Sequence, residues 1–137
     1  MELKLTRELN NDIIYLRTKV FMEEQGFENE FDKQDEDCYF VVAYDDGKPV
    51  GMCRFFSDDQ IHYHLGRVCV LKEYRKSGIG KCVVEEAKKH IQEFNGKEIV
   101  LSAQSRVKEF YAKLGYQAYG EEYYDEHCLH IDMIIKL

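Results

Sequence analysis

The chain has 137 residues, with one proline, no tryptophan, 45% hydrophobic and 13% aromatic residues, and a formal charge of −7. That length suits a single domain over residues 1–137, and the apolar content excludes a disordered chain, while the acidity argues against nucleic acid or an anionic membrane as partner. No apolar run nears the roughly 20 residues of a membrane span, and the amino terminus reads as a strand and not a signal peptide, so a cytoplasmic location is expected.

Met1 to Thr6 alternates apolar and polar residues as a first strand does, and Ile13, Ile14, Leu16, Val20 and Phe21 then recur at helical spacing, predicting a helix from about Glu8 to Glu24. From Glu23 to Asp37 eight acids and one lysine surround Phe27 and Phe31. This segment reads as a solvated loop or broken helix, with attraction of a cationic amine to Glu28, Glu30, Asp32 and Asp35 as the lesser reading. Tyr39 to Tyr44 and Val50 to Phe56 form a hairpin through Asp45, Asp46 and Gly47, and Ile61 to Leu71 continues as a third antiparallel strand.

Ile79, Val83, Ala87, Ile91 and Phe94 mark one face of a strongly amphipathic helix that Asn95 and Gly96 stop. Ile99 to Ala103 is a short, fully apolar strand, parallel to the strand before the helix because a crossover joins them. Val107, Phe110, Tyr111 and Leu114 indicate a short helix closed by Gly115, and strands at Tyr116 to Tyr119 and Leu129 to Leu137 complete the chain. The order β-α-β-β-β-α-β-α-β-β is an α+β fold, a mixed, mostly antiparallel sheet flanked by helices.

Between the third strand and the amphipathic helix lie Arg75, Lys76, Ser77, Gly78, Ile79 and Gly80. The glycines remove Cβ atoms that would keep an anion from the backbone, and the helix start turns free N–H groups and its positive dipole end toward the loop. A diphosphate would fit such a cradle. The Gly-Lys-Ser/Thr ending of an ATP-type phosphate loop is absent, and so are the three spaced glycines of a dinucleotide fold. Cys38, Cys53, Cys69, Cys82 and Cys128 are odd in number, scattered and without a C-x-x-C pair, so they read as small core residues. His62 and His64 alternate on one strand face but lack a third ligand, and no metal is expected.

Val68 to Leu71 followed by Arg75 to Gly80 resembles the Arg/Gln-x-x-Gly-x-Gly/Ala motif of the GNAT family of acyl-CoA N-acyltransferases, and Phe110 to Tyr116 resembles that family's Phe-Tyr-x-x-Leu-Gly-Phe/Tyr helix end. The likeness spans essentially the whole chain. Val20, Phe21, Glu24, Gln25, Arg67 to Val70, Ala103, Gln104 and His130 to Met133 are similar to the ElaA-like branch. The resemblance implies that Val68, Cys69 and Val70 bind the pantetheine arm of acetyl-CoA as a pseudo-strand between splayed strands, with Arg75, Lys76, Ser77, Gly78, Ile79 and Gly80 on its diphosphate. It implies acetyl transfer to a primary amine of a small molecule or peptide. Tyr111 is the implied general acid, its phenol still protonated at neutral pH, and Glu24 or His130 the implied base. A CoA or acyl-CoA sensor that has lost catalysis, or a regulatory nucleotide-binding domain, would use the same loop. The acceptor stays open, and exposed aromatics in the last hairpin leave room for a homodimer.

Overall fold

In the computed structural model, which describes residues 1–137, the alternating runs become seven strands: β1 (Glu2–Thr6), β2 (Tyr39–Asp45), β3 (Lys48–Phe56), β4 (His62–Val70), β5 (Glu98–Gln104), β6 (Gln117–Asp125) and β7 (Cys128–Lys136). They form one sheet in the order β1-β2-β3-β4-β5-β7-β6. Every pairing is antiparallel except β4 with β5, as the crossover requires. The helices are α1 (Asn11–Arg17), α2 (Ile79–Glu93) and α3 (Lys108–Lys113). None of them is long and apolar enough to cross a membrane.

The first helix starts three residues later than its spacing suggests, because the Asn10 side chain accepts from the Ile13 N–H at 3.0 Å and caps it there. Past Arg17 the helix widens to π geometry over Thr18–Glu24, closed by a Gln25 N–H to Val20 carbonyl bond. The helix α2 covers one face of the sheet, over Val41, Phe55, Ile99 and Met133, and α1 covers the other, over Phe40, Val42 and Met52. The last hairpin is longer than its apolar residues indicate: β6 runs on to Asp125 through a bulge between Tyr119 and Tyr123, where Gly120 takes φ +75°.

A second bulge positions everything that follows. Met52 pairs with Cys69 and Arg54 with Gly66, so two steps on β3 oppose three on β4, and Arg67 in the extra step has φ +52°. Beyond it β4 abandons β5: their pairing runs from His62–Glu98 to Leu65–Leu101 and stops. Strand β5 stays on β7 as far as Gln104 opposite His130, so the two parallel strands part like a fork.

The acidic segment is not the solvated loop its composition suggests. Arg17, fully buried, donates from Nε to Glu30 at 2.8 Å and from Nη1 to Asp35 at 2.6 Å. Arg54 bonds Asp32 at 2.7 Å and Asp35 at 2.8 Å, and Arg67 reaches Glu30 Oε2 at 2.9 Å and the Glu30 carbonyl at 2.8 Å. Sequence reading misses this because the three arginines come from α1, β3 and β4, far from the acids in the chain. The attraction of a cationic amine to these carboxylates is therefore overturned for Glu30, Asp32 and Asp35, whose charge is already met by guanidinium groups. The Arg54 bond holds Asp32 below the usual carboxylate range against its partial burial. Burial pulls Asp35 up, yet its bonds from Arg17, the Asp32 backbone and Arg54 leave it lowered overall; at Glu30 burial prevails and the carboxyl is raised.

Arg17→Met should cost about 3–5 kcal/mol in urea unfolding, since it strands two buried carboxylates without their partner. The lowered Asp32 and Asp35 contribute stability that is complete above the ordinary aspartate value of 3.8 and lost as pH falls through their folded values, with Glu30 acting in the opposite sense. A urea series from pH 7 to pH 3 should show that fall in the wild-type protein and a weaker one in Arg17→Met. Gly51→Ala would place a Cβ 2.7 Å from Ile79 Cγ2 and 3.2 Å from the Cys69 carbonyl. It should lower stability by about 1–3 kcal/mol in the same assay by pushing the start of α2 off the sheet.

Candidate active site

Where β4 and β5 part, a cavity of about 890 Å³ opens through the sheet. One end is the loop before α2, where Arg75, Lys76, Gly78, Ile79 and Gly80 line the wall together with Lys81. Gly78 caps α2 in the left-handed region at φ +86°; a Cβ there would meet no atom within 4 Å, so backbone conformation and not space selects glycine. At Gly80 a Cβ would rest in contact with the Phe110 ring, at 3.4 Å. The first intrahelical bond runs from Cys82 N–H to the Gly78 carbonyl, which leaves the earlier N–H groups of a 15-residue helix at the cradle. These groups, with Arg75, Lys76 and Lys81, suit a diphosphate. The edge of β4 from Gly66 onward, freed from β5, suits an amide-bearing arm.

Val68, Cys69 and Val70 line the next part of the cavity, as the resemblance implies, and Tyr111 and His130 line it further on. Ser77 does not; its hydroxyl donates to the Tyr74 carbonyl. Tyr111, on α3, is buried, edge-on to Phe110 at 4.9 Å and to Tyr116 at 6.0 Å. Burial pushes its phenol well above the ordinary value, which keeps the proton on oxygen. His130 is also buried, stacked on Tyr123 at 6.1 Å with Phe27 edge-on at 6.5 Å. The strand alternation places it off the core face of Leu129 and Ile131, as expected, but that face is the cavity floor and not solvent. Its Nδ1 lies 2.9 Å from the Cys128 carbonyl, and because a carbonyl only accepts, Nδ1 carries a hydrogen, which in the neutral ring puts the lone pair on Nε2.

Glu24 departs from expectation. It is not among the lining residues, and both its oxygens accept from Arg75, Nη1 to Oε2 and Nη2 to Oε1, each at 2.6 Å. The Arg75 hydrogen bonds hold its carboxyl below the usual range. A carboxylate so engaged is a poor proton acceptor, which corrects its assignment as a base.

Other lining residues were given no role by the sequence. Gln104 donates to Gln25 at 2.8 Å across the cavity, and Ser102 and Asp132 are linked through Tyr123, which stands outside the lining and whose hydroxyl donates to Asp132 at 2.6 Å. Ser102 and Gln104 lie in opposite phase to the apolar Leu101 and Ala103, and Asp132 shares a face with His130, so period-two reading contained that signal. Gln25 was marked only by its likeness to the ElaA-like branch, and Phe27 carried no periodic signal, because the segment that brings it in is a loop. His62 and His64 take separate partners, Asp59 at 2.6 Å and the Phe56 ring at 5.0 Å. All five cysteines are free thiols, with Cys38, Cys53 and Cys69 buried.

A family model described as an acetyltransferase (GNAT) domain matches residues 10–137. The N-acetyltransferase YjcF of Bacillus subtilis (strain 168), itself uncharacterized, is 33% identical over 126 residues, covering 90% of this chain and 89% of its own. Among solved structures, Escherichia coli ElaA superposes with a TM-score of 0.84 at 24% identity, covering 97% of both chains. An aminoglycoside 6'-N-acetyltransferase complexed with coenzyme A superposes at 0.77 with 16% identity, covering 99% of this chain and 97% of the other. The ladder of seven strands, its fork and the sequence match agree: this chain belongs to the GNAT family of acetyltransferases.

Proposed function

We propose that the protein transfers an acetyl group from acetyl-CoA to a primary amine. The observation that carries this reading is the forked β4–β5 pair, which joins an anion cradle at one end to a buried imidazole and phenol further along the same cavity. Acetyl-CoA, when bound, supplies an acyl group activated as a thioester. The cradle at Arg75, Lys76, Gly78, Ile79 and Gly80 holds the diphosphate, with Ser77 contributing only backbone, and the free edge through Val68, Cys69 and Val70 holds the arm.

An alkyl ammonium, with a reference pKa of about 10.4, must lose a proton before attack. His130 Nε2 takes that proton, since Nδ1–H is fixed on the Cys128 carbonyl and the tautomer is set. The Tyr111 hydroxyl gives its proton to the departing thiolate; burial makes the phenol a weaker acid than the thiol, so the transfer waits for negative charge to build on sulfur, and the phenolate left behind takes up the proton released from the acylated nitrogen. Phe21, Phe27 and the Glu30–Arg67 pair wall the cavity against bulk water. Under this reading the partners are acetyl-CoA and an amine on a small molecule or peptide. A CoA sensor without catalysis would have no use for a buried phenol and a tautomer-fixed imidazole in the same cavity.

Calorimetry should show CoA and acetyl-CoA binding and ATP and FMN giving no heat, and CoA at a hundred times its Kd should stabilise the fold by about 2.7 kcal/mol. With a reactive amine, Tyr111→Phe should lower kcat about 100-fold or more, read as free thiol release, while acetyl-CoA affinity holds. Unchanged kcat in Tyr111→Phe would remove the phenol from the mechanism. His130→Gln should lower kcat similarly in the same thiol-release assay.

A further inference from the structure

Arg75 sits at the rim of the cavity with three of its N–H groups committed. Nε donates to the Val70 carbonyl at 3.0 Å, and Nη1 and Nη2 fork onto the two oxygens of Glu24. A guanidinium carries five N–H donors, so two remain for a ligand. Fork geometry leaves a long side chain one place to be, and it ties together the end of β4, the end of the widened first helix and the mouth of the cradle. Both side chains are 36% exposed. An ion pair at that exposure adds little to stability, so its two-point geometry calls for another account.

We propose that Glu24 is the positioning residue of the diphosphate grip, presetting the Arg75 guanidinium at the cradle before the ligand arrives; this rests on the reading of the cavity as a coenzyme A site. The carboxylate also repels a phosphate. That repulsion acts through water and is screened, whereas Lys76, Lys81 and Arg106 around the same cavity keep the local sign positive. The ordering of Arg75 is local and complete before binding, so it prevails. Glu24 thereby acts through Arg75 and touches no reacting atom. It also belongs to the segment whose Val20 and Phe21 line the far wall, so the grip and the wall share one anchor.

The experiment is calorimetric titration of CoA into the full chain as wild type, Glu24→Gln, Arg75→Ala and the double variant, each checked for an unchanged melting temperature. Glu24→Gln should raise the Kd for CoA about 3- to 10-fold, the range for loss of one preorganised side chain. In the Arg75→Ala background the same change should do nothing further, because there is no guanidinium left to place. Equal losses in both backgrounds would overturn the inference by showing an effect that does not pass through Arg75. Unchanged or tighter binding in Glu24→Gln would overturn it too, marking Glu24 as a bystander or as a competitor of the phosphate. Absence of CoA binding to the wild-type protein would instead overturn the assignment of the cavity, and this inference with it.

Discussion

Everything in this molecule depends on one backbone event, the extra residue that β4 inserts opposite Met52–Arg54. A strand that continued straight would pair with β5 to its end and leave no opening. The inserted step rotates β4 away after Leu65, and the energetic difficulty is that it places Arg67, with a full side chain, in the left-handed region. The conformation persists because the Arg67 guanidinium is held from outside the sheet, by the carbonyl and carboxylate of Glu30 and by Asp32. Those acids are in turn held by Arg17 and Arg54. The ion-pair network is therefore the scaffold of the opening as much as of the loop.

This arrangement reconciles a chain of charge −7 with a cradle whose groups suit an anion. The acidic loop is neutralised where it touches the cavity, since three guanidinium groups meet Glu30, Asp32 and Asp35. Uncompensated positive charge is left to Lys76 and Lys81 beside the cradle. Long-range attraction of an anionic ligand by the whole molecule is absent, so recognition falls to contacts made within about a Debye length of the loop.

Much of the architecture was legible because local signals agreed with the fold. The Asp45–Gly47 turn, the amphipathic face of α2 stopped at Asn95, and the apolar run of β5 each carry one period and one boundary. The cradle was legible because its chemistry is contiguous from Arg75 to Gly80. What escaped sequence reading is what the fold assembles from afar. The partners of Arg17 lie 13 and 18 residues away and those of Arg67 lie 35 and 37 away, and no period connects them. Glu24 was implied as a base by its likeness to the ElaA-like branch's acidic position at the end of the first helix; only the bonds from Arg75, 51 residues on, show its commitment. The sequence reading ends this strand at Tyr119, short of Gly120, Glu121 and Glu122, where the structure has a bulge and then further pairing.

That outermost strand has a physical meaning for the molecule in company. Every residue of β6 is exposed, and its free border offers unpaired amides and carbonyls flanked by Tyr119, Tyr123 and Tyr124. Its regular pairing comes in two stretches, Gln117 to Tyr119 and Tyr123 to Asp125, separated by the kink. Each is shorter than the roughly six residues from which stacked fibrils grow. Crowded copies of the protein thus meet a tyrosine-rich rim that is sticky to touch but too broken to zip.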